Sequence, residues 1–271
     1  ADLFMDQFSF ETILQEFTAG EGSLEIFARC HETAHYIGRK SFQIEQSVPL
    51  LFSKGTSACW GGFYHGVVEG YFDSKNLSFA NASLLAGEIK KVCGAWQDYK
   101  SPRAFGECIH GIGHALMFIS NSDLPQSLRW CDELSGDIRK NCYGGVFMEN
   151  SSSSTNLDHP AKYIKADDPF YPCNILDEQY LATCYEYQSS YFARLADWDW
   201  VKNAELCTQV PEAYQAGCFQ LIGSNQVGYS QELLEMHKTC RSMPSTSIER
   251  ECIIGVVDGL AGRYLGDFSK M

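Results

Sequence analysis

The chain has 271 residues, a formal net charge of −13, 45% hydrophobic residues and 12 cysteines. That acidity speaks against nucleic acid and anionic membrane surfaces as partners. The apolar content excludes a disordered chain, and no apolar run reaches the ~18 residues that a bilayer span needs.

From the N-terminus, the stretch DQFSFETILQEF has helical periodicity and is predicted to cap the fold. CHETAHYIG follows at 30–38. Its His31, Glu32 and His35 match H-E-x-x-H, the helical signature of zinc peptidases. From Cys59 onward a phrase recurs: CWGGFYHGV, then CIHGIGHAL from Cys108, CYGGVFMEN from Cys142, CYEYQSSYF from Cys184, CFQLIGSNQ from Cys218 and CIIGVVDGL from Cys252. Three of the steps are 34 residues, a period typical of helical hairpins stacked into a solenoid. Residues 71–85 lengthen the first interval, and a polar stretch at about 150–172 reads as a surface loop inserted into the array. The expected fold is all-α: one αα-hairpin solenoid over 1–271, with 1–58 as cap and H-E-x-x-H helix and 59–265 as repeats.

A second cysteine precedes five of these phrases, at Cys93, Cys131, Cys173, Cys207 and Cys240, across a polar or turn-like segment. One cysteine closes a helix and the next opens another. A disulfide across each corner would staple the hairpin. Cys30 and Cys59 are left as a sixth pair by elimination. No C-x-x-C pair of the kind structural zinc sites favour is present. The cysteines therefore predict an oxidising, extracytoplasmic setting. Sequons at Asn76, Asn81 and Asn150 fit secretion and would permit glycosylation, and the start at Ala1 fits a cleaved or trimmed chain.

These spacings resemble the cysteine-rich, tetratricopeptide-like αα-repeat proteins secreted by bacteria, over roughly residues 86–265, with CFQLIG at 218–223 the nearest match. The resemblance implies a disulfide-stapled scaffold with a protein or peptide partner on its concave face. The loops and the histidines depart from that family. The H-E-x-x-H match separately resembles zincin metallopeptidases. It would make His31 and His35 zinc ligands, Glu32 the general base, and Glu69 or His65 a third ligand.

Aligning the phrases on their first cysteine exposes a polar stripe. Six residues on stand His65, His114, Met148, Ser190, Ser224 and Asp258; two residues on stand Gly61, His110, Gly144, Glu186, Gln220 and Ile254. Positions four apart share a helix face. His31 with His35, His65 with Glu69, and His110 with His114 all have this spacing. Two imidazoles on one face can chelate an ion at ~2.0–2.1 Å each. Imidazole suits zinc, copper or iron, with zinc or copper foremost. The expected ligands of one or two transition-metal ions are therefore His31, His35, His65, Glu69, His110 and His114. Three functions stand open: a metalloprotein, a zinc hydrolase using Glu32, and a protein-binding scaffold whose histidines only pack. Gly62, Gly66, Gly70, Gly255 and Gly259 read as sites of close helix packing.

Overall fold

A computed structural model describes residues 7–20, 24–77, 79, 81–152, 160–230 and 232–264. Among them the protein is all-helical, with thirteen α-helices and no strand beyond one isolated bridge between Lys165 and Asp168. The chain forms two compact units: one runs up to Val146 and includes the residues from Gly262 on, the other is Phe147–Ala261.

The first unit holds α1 (Phe10–Gly20), α2 (Leu24–Glu45), α3 (Val48–Lys54), α4 (Gly62–Ser74), α5 (Ala82–Ile89), α6 (Pro102–Ile119), α7 (Leu124–Cys131) and most of α8 (Ile138–Ser152). Helix starts follow local chemistry. Ser101 accepts the Ala104 amide while Pro102, with no N–H to lose, opens α6. Asp123 does the same for Gln126 ahead of α7. Helix α4 packs against α2 on one side and α6 on the other. Its Phe63, Val67 and Val68, with Ile37 of α2 and Ile112 and Leu116 of α6, are buried. Each such side chain stabilises the unit by about 1.5–3 kcal/mol. The close approach of α2 to α4 depends on glycine: a Cβ at Gly62 would lie 2.7 Å from the His31 carbonyl oxygen.

The second unit contains α9 (Glu178–Leu195), α10 (Trp200–Cys207), α11 (Glu212–Tyr229), α12 (Leu233–Arg241) and nearly all of α13 (Thr246–Arg263). Helix α9 packs on α11, and α10 touches both. Gly223 and Gly255 bring the backbones of α11 and α13 together.

All twelve cysteines are paired. Cys93–Cys108, Cys131–Cys142, Cys173–Cys184, Cys207–Cys218 and Cys240–Cys252 staple corners, as their spacing predicts. Each closes a short loop, for which chain entropy gives about 3 kcal/mol. Cys30–Cys59 instead ties α2 to the turn before α4. Of the inserted stretch at about 150–172, residues 153–159 lie outside the described residues, and 160–172 form bends and turns without a helix. The sequon asparagines differ in access: Asn76 and Asn81 are exposed, whereas Asn150 is buried and donates its amide to the Tyr163 carbonyl at 2.9 Å. Among the described residues no helix is long and apolar enough to cross a membrane.

Candidate metal centre

Helix α2 carries His31 and His35 one turn apart, α4 carries His65 and Glu69, and α6 carries His110 and His114. Because α4 lies between the other two helices, the three faces converge. One ring nitrogen each from His31, His35, His65 and His114 falls within 4.8 Å of all the others. His65 and His114 are fully buried, His35 is 4% exposed and His31 is half-buried. The His65 and His114 rings stack at 4.1 Å.

The outer nitrogens of the first pair are held by acceptors. His31 donates from Nδ1 to the Cys59 carbonyl oxygen at 2.7 Å. His35 donates from Nδ1 to Glu69 Oε1 at 2.8 Å, and the other Glu69 oxygen takes the Arg39 guanidinium. Such partners fix the tautomer of a ligating histidine and its ring orientation. The two Nε2 atoms face each other 3.1 Å apart. At that distance a cation, either a proton on one ring or a metal ion, must lie between the two nitrogens. Ligands at ~2.05 Å on a tetrahedral ion would be about 3.3 Å apart. The His110 and His114 Nε2 atoms lie within hydrogen-bond distance of each other, at 3.2 Å.

His65 is the least compensated of the group. It is fully buried and neither of its ring nitrogens has a hydrogen-bond partner. The nearest carboxylate oxygen, Glu107 Oε2, is 3.9 Å from its Nε2, beyond hydrogen-bond reach. A buried polar group left in this state costs about 1–3 kcal/mol. Metal ligation through one nitrogen, with a small inward shift of Glu107 toward the other, would remove that cost.

Burial, and then the neighbouring histidines, push His31, His65 and His110 well below the usual histidine range. The same causes take His114 down to about 3. The rings are neutral at pH 7 and so have lone pairs to give. Burial pushes the Glu69 carboxyl up, but His35 and Arg39 outweigh it and hold the group ionised, down to about 2.

The sequence-predicted residues thus take different places. His31, His35, His65 and His114 form the four-nitrogen group. Glu69 stands behind His35 and pairs with Arg39. His110 adjoins His114 and His65 and hydrogen-bonds the Asn141 backbone. Glu32 is exposed on α2. Sequence reasoning missed Arg39, Glu107 and the carbonyls of Cys59 and Asn141. Arg39 could have been found, because it extends the His35 face by another four residues. Backbone carbonyls leave no mark in a sequence. Comparison with protein-family models, with curated proteins and with solved structures finds no match for this chain.

Proposed function

We propose that this chain is an exported, disulfide-rich metalloprotein that holds a transition-metal ion through His31, His35, His65 and His114. The observation that carries this is His65: fully buried, surrounded by four other histidines, and hydrogen-bonded at neither ring nitrogen. His110 and Glu69 would act as outer partners, the latter by holding His35. Four neutral imidazoles without thiolate or carboxylate suit zinc or copper. Iron oxygenase sites use two histidines and a carboxylate, which this group lacks. Six disulfides support an oxidising compartment. The 34-residue period and the bacterial αα-repeat resemblance support stacked hairpins, with a protein or peptide partner as a further role.

Four protein ligands complete a tetrahedral shell, and a catalytic zinc needs an open position. This favours a structural or electron-carrying centre. A hydrolase is the second proposal, favoured by one observation: His31 is only half-buried and the neighbouring Glu32 is exposed, so solvent reaches that side of the helix. The test is elemental analysis of exhaustively dialysed protein, followed by titration with zinc and with copper. About one tightly held equivalent is expected, and His65→Ala should lose it. Wild-type protein that retains neither ion and binds neither on titration would overturn the proposal.

A further inference from the structure

Cys30–Cys59 is placed unlike the other bridges. Those join cysteines 11 to 15 residues apart; this one joins cysteines 29 apart. Cys30 directly precedes His31 on α2. Cys59 opens the turn Cys59–Trp60–Gly61, whose three φ values are 57, 52 and 71°. Two successive non-glycine residues in the left-handed region are unfavourable and persist only where the surroundings impose them. The Cys59 carbonyl, aimed by that turn, accepts the His31 Nδ1 proton. Immediately after it Gly62 starts α4 against His31, and His65 follows within the first turn. One covalent bond therefore holds the backbone of a ligand, the acceptor that orients its ring, and the entry to the helix that carries the next ligand.

We propose that the Cys30–Cys59 disulfide gates metal binding, so that the centre is completed only after this bond forms; this rests on the metal centre proposed above. Forming the bond takes two electrons and two protons from the Cys30 and Cys59 thiols. A disulfide-bonded oxidant accepts both, its own S–S bond breaking to leave a dithiol. Before oxidation the covalent restraint on the left-handed turn is absent, and the Cys59 carbonyl holds His31 less firmly in its ligating orientation. The chain thereby ties metal uptake to an oxidising compartment. Linkage makes the coupling reciprocal: whatever factor the disulfide adds to metal affinity, bound metal adds to the persistence of the disulfide.

The test measures zinc affinity by competition with a chromophoric chelator. Wild type is compared with Cys30→Ala/Cys59→Ala and with a control in the second unit, Cys207→Ala/Cys218→Ala. Removing an outer partner of a metal ligand typically costs 10–100-fold in affinity. The first double variant should weaken binding by about that factor, with its helical circular dichroism retained, and the control should match wild type. Equal affinity in wild type and Cys30→Ala/Cys59→Ala, for zinc or for copper where zinc is not bound, overturns the gate, whereas a wild type that binds neither ion overturns the centre itself. Should the variant fail to fold, the reciprocal measurement uses wild type alone. Reduction by a phosphine, followed by alkylation and peptide mapping, is compared with and without zinc. Zinc should slow reduction of Cys30–Cys59 more than that of any other bridge; equal slowing at all six, or none, overturns the proposal.

Discussion

In sequence both units set polar residues six positions after a helix cysteine, and they fill those positions differently. In the first, α4 and α6 place His65 and His114 there, and with His31 and His35 of α2 four nitrogens come together, three of the rings buried and His31 half-buried. In the second, α9 and α11 offer Glu186, Ser190, Gln220 and Ser224, and α13 offers Asp258. There the polar groups pair sideways. Gln220 donates to Glu251 at 2.7 Å, and Asn225 donates to Ser190 at 3.1 Å. A recurring sequence position thus sets where a site could be, and the side chains decide whether it is one. Imidazoles that turn acceptor nitrogens to one another need a cation between them, whereas the amide N–H groups here have a carboxylate or a hydroxyl to donate to.

The largest expected effect tests this contrast directly. His65→Ala or His114→Ala should weaken metal binding by more than the ~100-fold that outer partners control. Ser190→Ala and Ser224→Ala, at matching stripe positions in the other unit, should leave it unchanged. Elemental analysis and chelator competition on the four variants decide it. Loss of metal from a serine variant would break the comparison.

Much of this was legible beforehand, for reasons that can be named. Corner disulfides keep a nearly constant spacing because each joins a helix end or turn to the second turn of the helix that follows it. The i,i+4 histidine pairs declare a common face by helical geometry alone. Glu69 shows where this stops. It has the same spacing from His65 as His114 has from His110, yet it turns to His35 and Arg39 rather than joining the four nitrogens. Spacing defines a face of one helix; the glycine-mediated approach of α4 to α2 decides which part of that face meets which neighbour. The His31 acceptor was not legible for a different reason, since it is a main-chain oxygen aimed by a left-handed turn.

Acid should then separate the units in opposite senses in metal-free protein. His31, His65, His110 and His114 are held below the ordinary value of 6.5 in the fold. The unfolded chain takes up protons at these sites first. Their contribution is full above pH 6.5 and is lost as pH falls below it, for His114 as pH falls through about 3. The loss approaches about 1.4 kcal/mol per histidine per pH unit. Glu186 behaves in reverse. Burial, and then Asp258, push its carboxyl up from 4.5 to about 7. Its contribution is full below pH 4.5 and is lost as pH rises through about 7. Hydrogen exchange, corrected for intrinsic rates, should show α4 opening more readily in mild acid and α9 opening more readily above neutrality. Parallel behaviour in both helices would break the contrast.

A smaller effect should follow from the carboxylate behind His35. Glu69→Gln keeps the shape but removes the charge that holds both His35 and Arg39. Metal affinity should fall by about 10–100-fold, the range for outer partners of a ligating histidine. Glu186→Gln, the analogous neutralisation in the second unit, should leave metal affinity unchanged and flatten the alkaline loss of stability there. An unchanged affinity in Glu69→Gln would show that His35 is oriented by packing alone.

The smallest effect concerns Glu32, and it separates a closed centre from an open one. In an H-E-x-x-H hydrolase this glutamate activates a metal-bound water, so the ion must keep a coordination position free. Here Glu32 is exposed, while four imidazole nitrogens lie within 4.8 Å of one another, the number a tetrahedral shell takes. Neighbouring residues on a helix point ~100° apart, so Glu32 does not share the direction of His31. Glu32→Gln should therefore keep metal content within error of wild type and change affinity by less than Glu69→Gln does. A peptidase and esterase screen on wild type, Glu32→Gln and His65→Ala gives the second readout. No turnover in any of them is the expected outcome. Hydrolysis by wild type that vanishes in Glu32→Gln with the metal still bound would mean that one of the four histidines leaves the ion during turnover. His31, the half-buried one, is the ligand placed to do so.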